Sequence, residues 1–210
     1  MANLRREYTL TSLSESDLDP DPFVQFEKWF QLAVESGGDL ANAMTLATAT
    51  KDGAPSARIV LLKDFDEQGF VFFTNYGSQK GRELAENPNA ALVFHWAELE
   101  RQVCITGQVS KVSRKESESY FQSRPVGARL GAWVSRQSQV ILSREVLENR
   151  FEQLVADYPD EEIPMPPYWG GMCLKPDTIE FWQGRPNRLN DRLRYTCQSN
   201  NGWLIERLSP

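Results

Sequence analysis

The stretch AMTLATATKDGAPSARIVLLKDFDEQGFVFFT, residues 43–74, decides the fold class. It contains three short apolar segments, at 43–50, 56–63 and 70–74, and the sequences KDG and DEQG separate them. Short apolar runs that are joined by turns containing Gly and Asp are typical of antiparallel strands linked by hairpins. The stretch therefore predicts a three-stranded meander.

A helix precedes this stretch, and further strands and helices follow it. The helix is predicted to begin at Pro22, with Asp21 as its cap, and to end at Gly37-Gly38, because apolar residues recur between them at helical spacing. The polar residues 1–20 predict an N-terminal arm in front of a single domain at 21–210. Downstream, the same signals predict helices at 78–87, 114–123 and 143–157 and strands at 90–96, 102–112, 171–174, 178–183, 192–197 and 203–208.

The predicted fold is mostly β with flanking helices, an antiparallel barrel of the α+β class. About nine short strands would leave exposed edges in an open sheet, and closure into a barrel removes those edges. A parallel dinucleotide-binding sheet is excluded because strands and helices do not alternate strictly and no GxGxxG turn occurs.

Composition excludes several classes of protein. Hydrophobic residues make up 40% of the 210 residues and charged residues 25%, which is typical of a folded domain. The apolar runs are too short to span a bilayer, and the first residues lack the apolar segment of a signal peptide. The three cysteines form no CxxC pair. We therefore expect a reducing, cytoplasmic location.

His95 is the single histidine, which excludes a multi-histidine metal site. It lies in a strand-like apolar run, where an ordinary hydrogen-bonded histidine is expected in preference to a catalytic one. If the protein is an enzyme, a cofactor is expected to carry the chemistry.

The net charge of -6 argues against a general affinity for nucleic acid or for an anionic membrane. Four arginines nevertheless fall within ten residues, and the planar guanidinium suits bidentate binding of phosphate or carboxylate. In an extended strand one side would carry Arg188, Asn190, Arg192 and Arg194, and the other Leu189 and Leu193. This face predicts either a site for a small anion or a solvated surface whose counter-ions are Asp191 and Glu180.

Two further places could bind an anion. Arg58 and Lys63 bracket an apolar strand, and their odd spacing puts them on opposite faces. Lys80 lies at the start of a predicted helix, where free backbone N–H groups and the helix dipole attract anions. Trp133, Trp169 and Trp182 could supply a flat surface for a ring system, although most tryptophans in such a domain belong to the core.

Seven segments, taken together and in order, resemble the pyridoxine/pyridoxamine 5'-phosphate oxidase family. They are LRREY (4–8), RIVLLK (58–63), ERQV (100–103), YFQSRP (120–125), GAWVSRQS (131–138), IEFWQG (179–184) and NRLNDR (187–192). The resemblance implies a homodimeric, Greek-key split β-barrel with FMN at the subunit interface. It also implies oxidation of pyridoxamine 5'-phosphate and pyridoxine 5'-phosphate to pyridoxal 5'-phosphate, in which hydride passes to the flavin and O2 is reduced to H2O2.

The resemblance also implies a role for individual residues. Arg188 and Asn190 would be the catalytic pair, with Arg188 over the substrate ring. The implied FMN contacts are Arg58, Ile59, Val60, Lys63, Phe73, Thr74, Lys80, Gln102, Gln137, Ser138, Trp182 and Arg192. The implied substrate contacts are Lys63, Tyr120, Arg124, Ala128, Arg188 and Asn190, with Arg5 and Tyr8 in an arm that covers the site.

Four residues depart from the family pattern. Asn190 stands where histidine is typical, Ala128 where serine often occurs, Gln79 where arginine often occurs and Phe73 where tyrosine is common. Asparagine keeps a hydrogen bond but cannot carry a proton or a positive charge, so we expect an active but weakened oxidase that still binds FMN.

Two other functions remain open at this stage. One is a non-catalytic carrier of FMN or pyridoxal 5'-phosphate on the same barrel, and the other is a flavin reductase with a different substrate. The joint presence of Lys63, Tyr120, Arg124 and Arg188 favours the oxidase.

Overall fold

Nine strands form one antiparallel sheet in the computed structural model, which describes residues 7–37 and 40–210. The strands are β1 (Ala43–Ala49), β2 (Pro55–Leu61), β3 (Asp64–Asp66), β4 (Gly69–Asn75), β5 (Asn89–Trp96), β6 (Arg101–Lys111), β7 (Trp169–Gln183), β8 (Asp191–Cys197) and β9 (Trp203–Arg207). The α-helices are α1 (Pro22–Glu35), α2 (Gln79–Glu86), α3 (Arg114–Ser123), α4 (Val126–Val134) and α5 (Glu145–Asp157).

Local signals placed most helices correctly. The Asp21 carboxylate accepts a hydrogen bond from the Phe23 N–H at 2.8 Å and begins α1, and Gly37 follows its end with a left-handed φ of 86°. α4 was not predicted, because Gly127 and Gly131 weaken its helical signal. Within residues 7–37 and 40–210, no helix has the length and apolar character needed to cross a bilayer.

The predicted three-stranded meander is wrong. β1 and β2 form a hairpin in which Met44 lies opposite Val60, but β4 pairs with β3 and β7 and not with β2. Phe72 of β4 lies opposite Met172 of β7, far along the chain. Apart from the half-buried Phe73, every residue of β4 is buried, which is typical of a strand packed on both faces. A hairpin signal concerns sequence neighbours and cannot identify such a partner.

β7 connects the two parts of the sheet. Its first part pairs with β4 and its last part with β8, while β6 runs along both. The β6–β7 register shifts after Thr106, where Gly107 lies opposite Pro176. A Cβ atom on Gly107 would lie 2.0 Å from the Lys175 carbonyl oxygen, so this bulge requires glycine. The two strands predicted at 171–174 and 178–183 are therefore one strand with a bulge at Asp177, directly after its proline.

The larger hydrophobic core lies between α1 and the sheet. Phe26 of α1 is fully buried, and its ring centroid lies 4.9 Å from that of Phe65, 5.0 Å from that of Phe70 and 5.1 Å from that of Phe94. A second core cluster lies under α3, α4 and α5 and includes Phe121. The architecture is the predicted one, a mostly antiparallel β half-barrel with flanking helices.

Candidate active site

A cleft of about 640 Å³ opens between β2, β4, the start of α2 and the α3–α4 pair. Ten residues with a predicted cofactor or substrate role line it: Ile59, Val60, Lys63, Phe73, Thr74, Lys80, Tyr120, Arg124, Ala128 and Gln137. The lining also includes residues to which sequence reasoning gave no site role: Leu61, Asn75, Pro125, Gly131, Ala132 and Ser135. Trp169, considered from sequence as a possible ring surface, lines it as well.

One end of the cleft is built on the start of α2. Lys80 is 8% exposed, and its Nζ donates to Gln137 Oε1 at 3.0 Å, an oxygen that also accepts from Thr74 Oγ1 at 3.4 Å. The backbone N–H of Gln79 donates to Ser138 Oγ at 3.1 Å, which docks the 135–138 segment on the helix. Burial, together with the nearby charge of Arg58, lowers the pKa of Lys80, and Glu83 opposes this change. A buried cation at a helix start suits an anionic group.

Arg58 lies beside this end rather than in the cleft lining. Its Nη1 donates to the Leu46 carbonyl oxygen at 3.3 Å and to Thr48 Oγ1 at 2.5 Å. Its Nη2 donates to Ser56 Oγ and to Glu83 Oε2, the latter at 3.4 Å. The guanidinium is therefore held by the protein, and its charge still acts on Lys80.

The other end of the cleft combines arginine with aromatic rings. The Arg124 guanidinium lies 4.8 Å from the Trp169 ring centroid, and Tyr120 stacks on Phe73 at 3.9 Å between centroids. Arg124 Nη1 is buried and has no hydrogen-bond partner among residues 7–37 and 40–210. Burial also lowers the pKa of Arg124, while Tyr120 opposes this change. This N–H group can still donate a hydrogen bond, and a phosphate oxygen is a suitable acceptor.

The remaining predicted contacts form a second group on β6, β7 and β8. Trp182 lies opposite Gln102 on one side and opposite Arg192 on the other. Arg192 binds both oxygens of Glu180, at 2.7 and 3.0 Å, so the counter-ion interpretation of the arginine face holds for this residue. Tyr8 lies edge-on to Trp182 with centroids 5.5 Å apart. This group does not line the cleft.

The predicted alternation from Arg188 to Arg194 is wrong at its start. β8 begins at Asp191, and the preceding turn contains Asn187 and Arg188 with left-handed φ values of 57° and 62°. Leu189 is 69% exposed, so it does not face the core as Leu193 does. Asn190 Oδ1 accepts from the backbone N–H of Arg185 at 2.9 Å, so its side chain ties the turn together.

Comparison with known proteins decides the family. The family model described as pyridoxamine 5'-phosphate oxidase matches residues 34–156. A second model, described as the pyridoxine 5'-phosphate oxidase C-terminal dimerisation region, matches residues 169–210. The pyridoxine/pyridoxamine 5'-phosphate oxidase of Nostoc sp. is 62% identical over 210 residues, covering 100% of this chain and 98% of the relative.

The chain belongs to the pyridoxamine 5'-phosphate oxidase family. Among solved structures, PhzG from Burkholderia lata, in complex with tetrahydrophenazine-1-carboxylic acid, matches with a TM-score of 0.90 and 30% identity over 98% of this chain and 100% of that one. A pyridoxamine 5'-phosphate oxidase-related, FMN-binding protein from Nostoc punctiforme matches with a TM-score of 0.73 and 19% identity over 92% of this chain and 100% of that one, which shows the split-barrel fold alone.

The family match shows where most residues of the second group lie relative to the two matched regions. Trp182, Arg188, Asn190 and Arg192 all fall inside the matched dimerisation region, whereas the ten cleft residues fall inside the other matched region. Arg5 lies outside the described residues. The predicted site is therefore divided within one chain into a cleft and a part that belongs to the dimerisation region.

Proposed function

We propose that this chain is an FMN-dependent oxidase of pyridoxamine 5'-phosphate and pyridoxine 5'-phosphate that produces pyridoxal 5'-phosphate and H2O2. One observation carries the proposal: a single cleft holds the buried Lys80 and the half-buried Arg124 at its two ends, with an aromatic wall between them. Two phosphorylated ring systems placed face to face require this arrangement of charge and flat surface.

The residues present fit FMN at the α2 end. Lys80 and the positive end of the α2 dipole suit its phosphate, while Thr74, Gln137 and Ser138 offer polar atoms to its ring and chain. Held there by Lys80 and Gln137, FMN would supply the redox chemistry of the proposed reaction, which is hydride acceptance from the substrate carbon that carries the amine or alcohol and reoxidation by O2.

The Arg124 end fits the substrate phosphate. Arg124 has a buried N–H group that no other described residue accepts, and Lys63 and Tyr120 line the same cleft. Held there by its phosphate, the substrate would lie against the cofactor without a protein nucleophile, since orientation alone can supply roughly 7 to 11 kcal/mol in favourable cases. Asn190 cannot transfer a proton, so the turnover is expected to be weaker than with histidine.

The first prediction is flavin reduction by substrate. Mixing the yellow holoprotein with pyridoxamine 5'-phosphate without O2 should bleach the flavin absorbance near 450 nm, about one flavin per substrate oxidised, and O2 should restore the colour. A carrier of FMN or pyridoxal 5'-phosphate would stay yellow. Bleaching by NADH alone would instead indicate a flavin reductase. Bleaching by a reduced tricyclic carboxylic acid, but not by pyridoxamine 5'-phosphate, would indicate a substrate that is more similar to the ligand of PhzG.

We further propose a homodimer in which each cleft is completed by Trp182 and Arg192 of the other protomer. The location of both residues in the matched dimerisation region supports this arrangement. So does the exposed apolar side chain of Ile59, which is 64% exposed on β2 at the cleft.

The second prediction tests shared sites by complementation. Lys80→Met and Trp182→Ala should each be nearly inactive as pure proteins. Refolded together in equal amounts, they should regain about a quarter of the wild-type activity, because half of the dimers are mixed and one of the two sites in each is intact. Lys80→Met mixed with Arg124→Leu is the control and should regain nothing, since both residues lie in the same cleft. No recovery in the first mixture would indicate sites within single chains.

A further inference from the structure

Glu83 is a buried carboxylate to which neither the sequence nor the family resemblance gives a role. It lies one turn after Lys80 on α2 and is 5% exposed. Its Oε2 accepts from Thr48 Oγ1 at 2.5 Å, from Ser56 Oγ at 2.6 Å and from Arg58 Nη2 at 3.4 Å. Its Oε1 accepts from Gln79 Nε2 at 2.8 Å. These donors all lie next to the predicted phosphate site.

Glu83 is ionised at neutral pH in this network. Burial alone would raise the pKa of its carboxyl group, but the hydrogen bonds from Ser56, Thr48 and Gln79 and the charge of Arg58 outweigh burial and lower the pKa to about 2. A carboxylate that stays charged can act as a counter-ion for both neighbouring cations. With Arg58 and Lys80 it leaves one net positive charge, which favours an anionic ligand.

The hydrogen bonds around Glu83 form a chain in which Arg58 donates to two hydroxyls and these hydroxyls donate to the carboxylate. The hydroxyls of Thr48 and Ser56 each donate to Glu83, and each accepts from the Arg58 guanidinium. The carboxylate therefore fixes the orientation of both hydroxyls, and they in turn fix Arg58. Through Gln79 the same carboxylate holds the residue next to Lys80.

We propose that Glu83 is a positioning residue for the FMN phosphate, which holds Arg58 and the first turn of α2 in the arrangement that binds this group. The inference rests on the proposed function. A purely structural role of Glu83 would affect binding of the whole cofactor. The proposed role affects binding of the phosphate and leaves binding of the flavin ring unchanged.

Comparing FMN with riboflavin tests this inference. Dissociation constants of both flavins are measured by fluorescence quenching with full-length protein freed of flavin. In Glu83→Gln, which keeps the size and removes the charge, the constant for FMN should rise about 10- to 100-fold and that for riboflavin by less than about twofold. Glu83→Asp, which keeps the charge, should recover part of the FMN affinity. Glu148→Gln, whose partner is the exposed Arg144, should change neither constant.

Other results would distinguish a failure of the role proposed for Glu83 from a failure of the proposed function. An equal loss of affinity for both flavins, or none for FMN, would overturn the role of Glu83 while leaving the proposed oxidase intact. If the wild-type protein binds neither flavin, the proposed function itself fails. If Glu83→Gln does not fold, Thr48→Val removes one bridging hydroxyl at nearly constant volume and should weaken FMN selectively by about 3- to 10-fold. Unchanged binding in that variant would contradict the proposal.

Discussion

Replacing Arg124 by leucine is expected to lower kcat/KM for pyridoxamine 5'-phosphate by about 100-fold, while the affinity for FMN changes less than about twofold. The guanidinium is held over Trp169 and has one buried N–H group with no partner in the described part of the chain. Removing a buried, charge-assisted contact to phosphate costs about 3 kcal/mol, which corresponds to this change. Lys80, at the α2 end of the cleft, is left untouched.

Steady-state kinetics with phosphorylated and unphosphorylated pyridoxamine provide the measurement. The wild-type protein should strongly prefer the phosphate ester, and Arg124→Leu should lose most of that preference. Arg129→Leu is the matched control, because Arg129 bonds to Gln122 and to the Glu161 carbonyl oxygen and lies outside the cleft lining. If the variant lost activity equally with both substrates, Arg124 would support the fold of the α3–α4 corner and not the phosphate.

Sequence reasoning succeeds here where the deciding interactions are local. Asp21 and Ser78 cap their helices through hydrogen bonds two and three residues away, and such spacing is visible in the sequence. The prediction of an anion site at the start of α2 rests on the same signal, which is why Lys80 could be proposed as a site residue from its neighbours alone.

The sequence fails where partners are distant in the chain. No local pattern places β4 beside β7, and so none could show that Trp169 lies beside Tyr120 in the cleft. Glu83 was missed for the same reason, since its donors come from three elements: β1, β2 and α2. The separation of the predicted site residues into a cleft group and a group in the matched dimerisation region is also a tertiary property. Most site residues were accessible before the structure only through the resemblance.

The turn before β8 shows how a periodic pattern can mislead. If the chain were extended from Arg188, the alternating residues would give one polar face, yet Asn187 and Arg188 adopt left-handed conformations. The strand itself begins at Asp191, close to the predicted start at 192. The Asn190 side chain compensates by accepting the Arg185 N–H group. An asparagine at this position thus has a structural use in the turn as well as any effect on the substrate, and alternation along the sequence contains no information about that use.

Replacing Phe26 by alanine is expected to lower the free energy of unfolding by about 3 to 5 kcal/mol, the usual cost of removing a fully buried aromatic ring. Phe26 is 0% exposed, and its ring contacts Phe65 on β3, Phe70 on β4 and Phe94 on β5. It therefore joins α1 to the β3–β4 hairpin, and Lys63 immediately precedes that hairpin.

Urea denaturation of the full-length variant, followed by tryptophan fluorescence, measures this loss. Val24→Ala on the same helix is the control: Val24 is 36% exposed, so its change should stay within about 1 kcal/mol. If Phe26→Ala costs less than the control, the neighbouring rings collapse into the cavity and α1 is not what secures the hairpin. A loss of the expected size would show that the β3–β4 hairpin, which carries Phe73 and Thr74 into the cleft, depends on the core on the opposite side of the sheet. The stability of the site would then be set by aromatic packing that has no contact with a ligand.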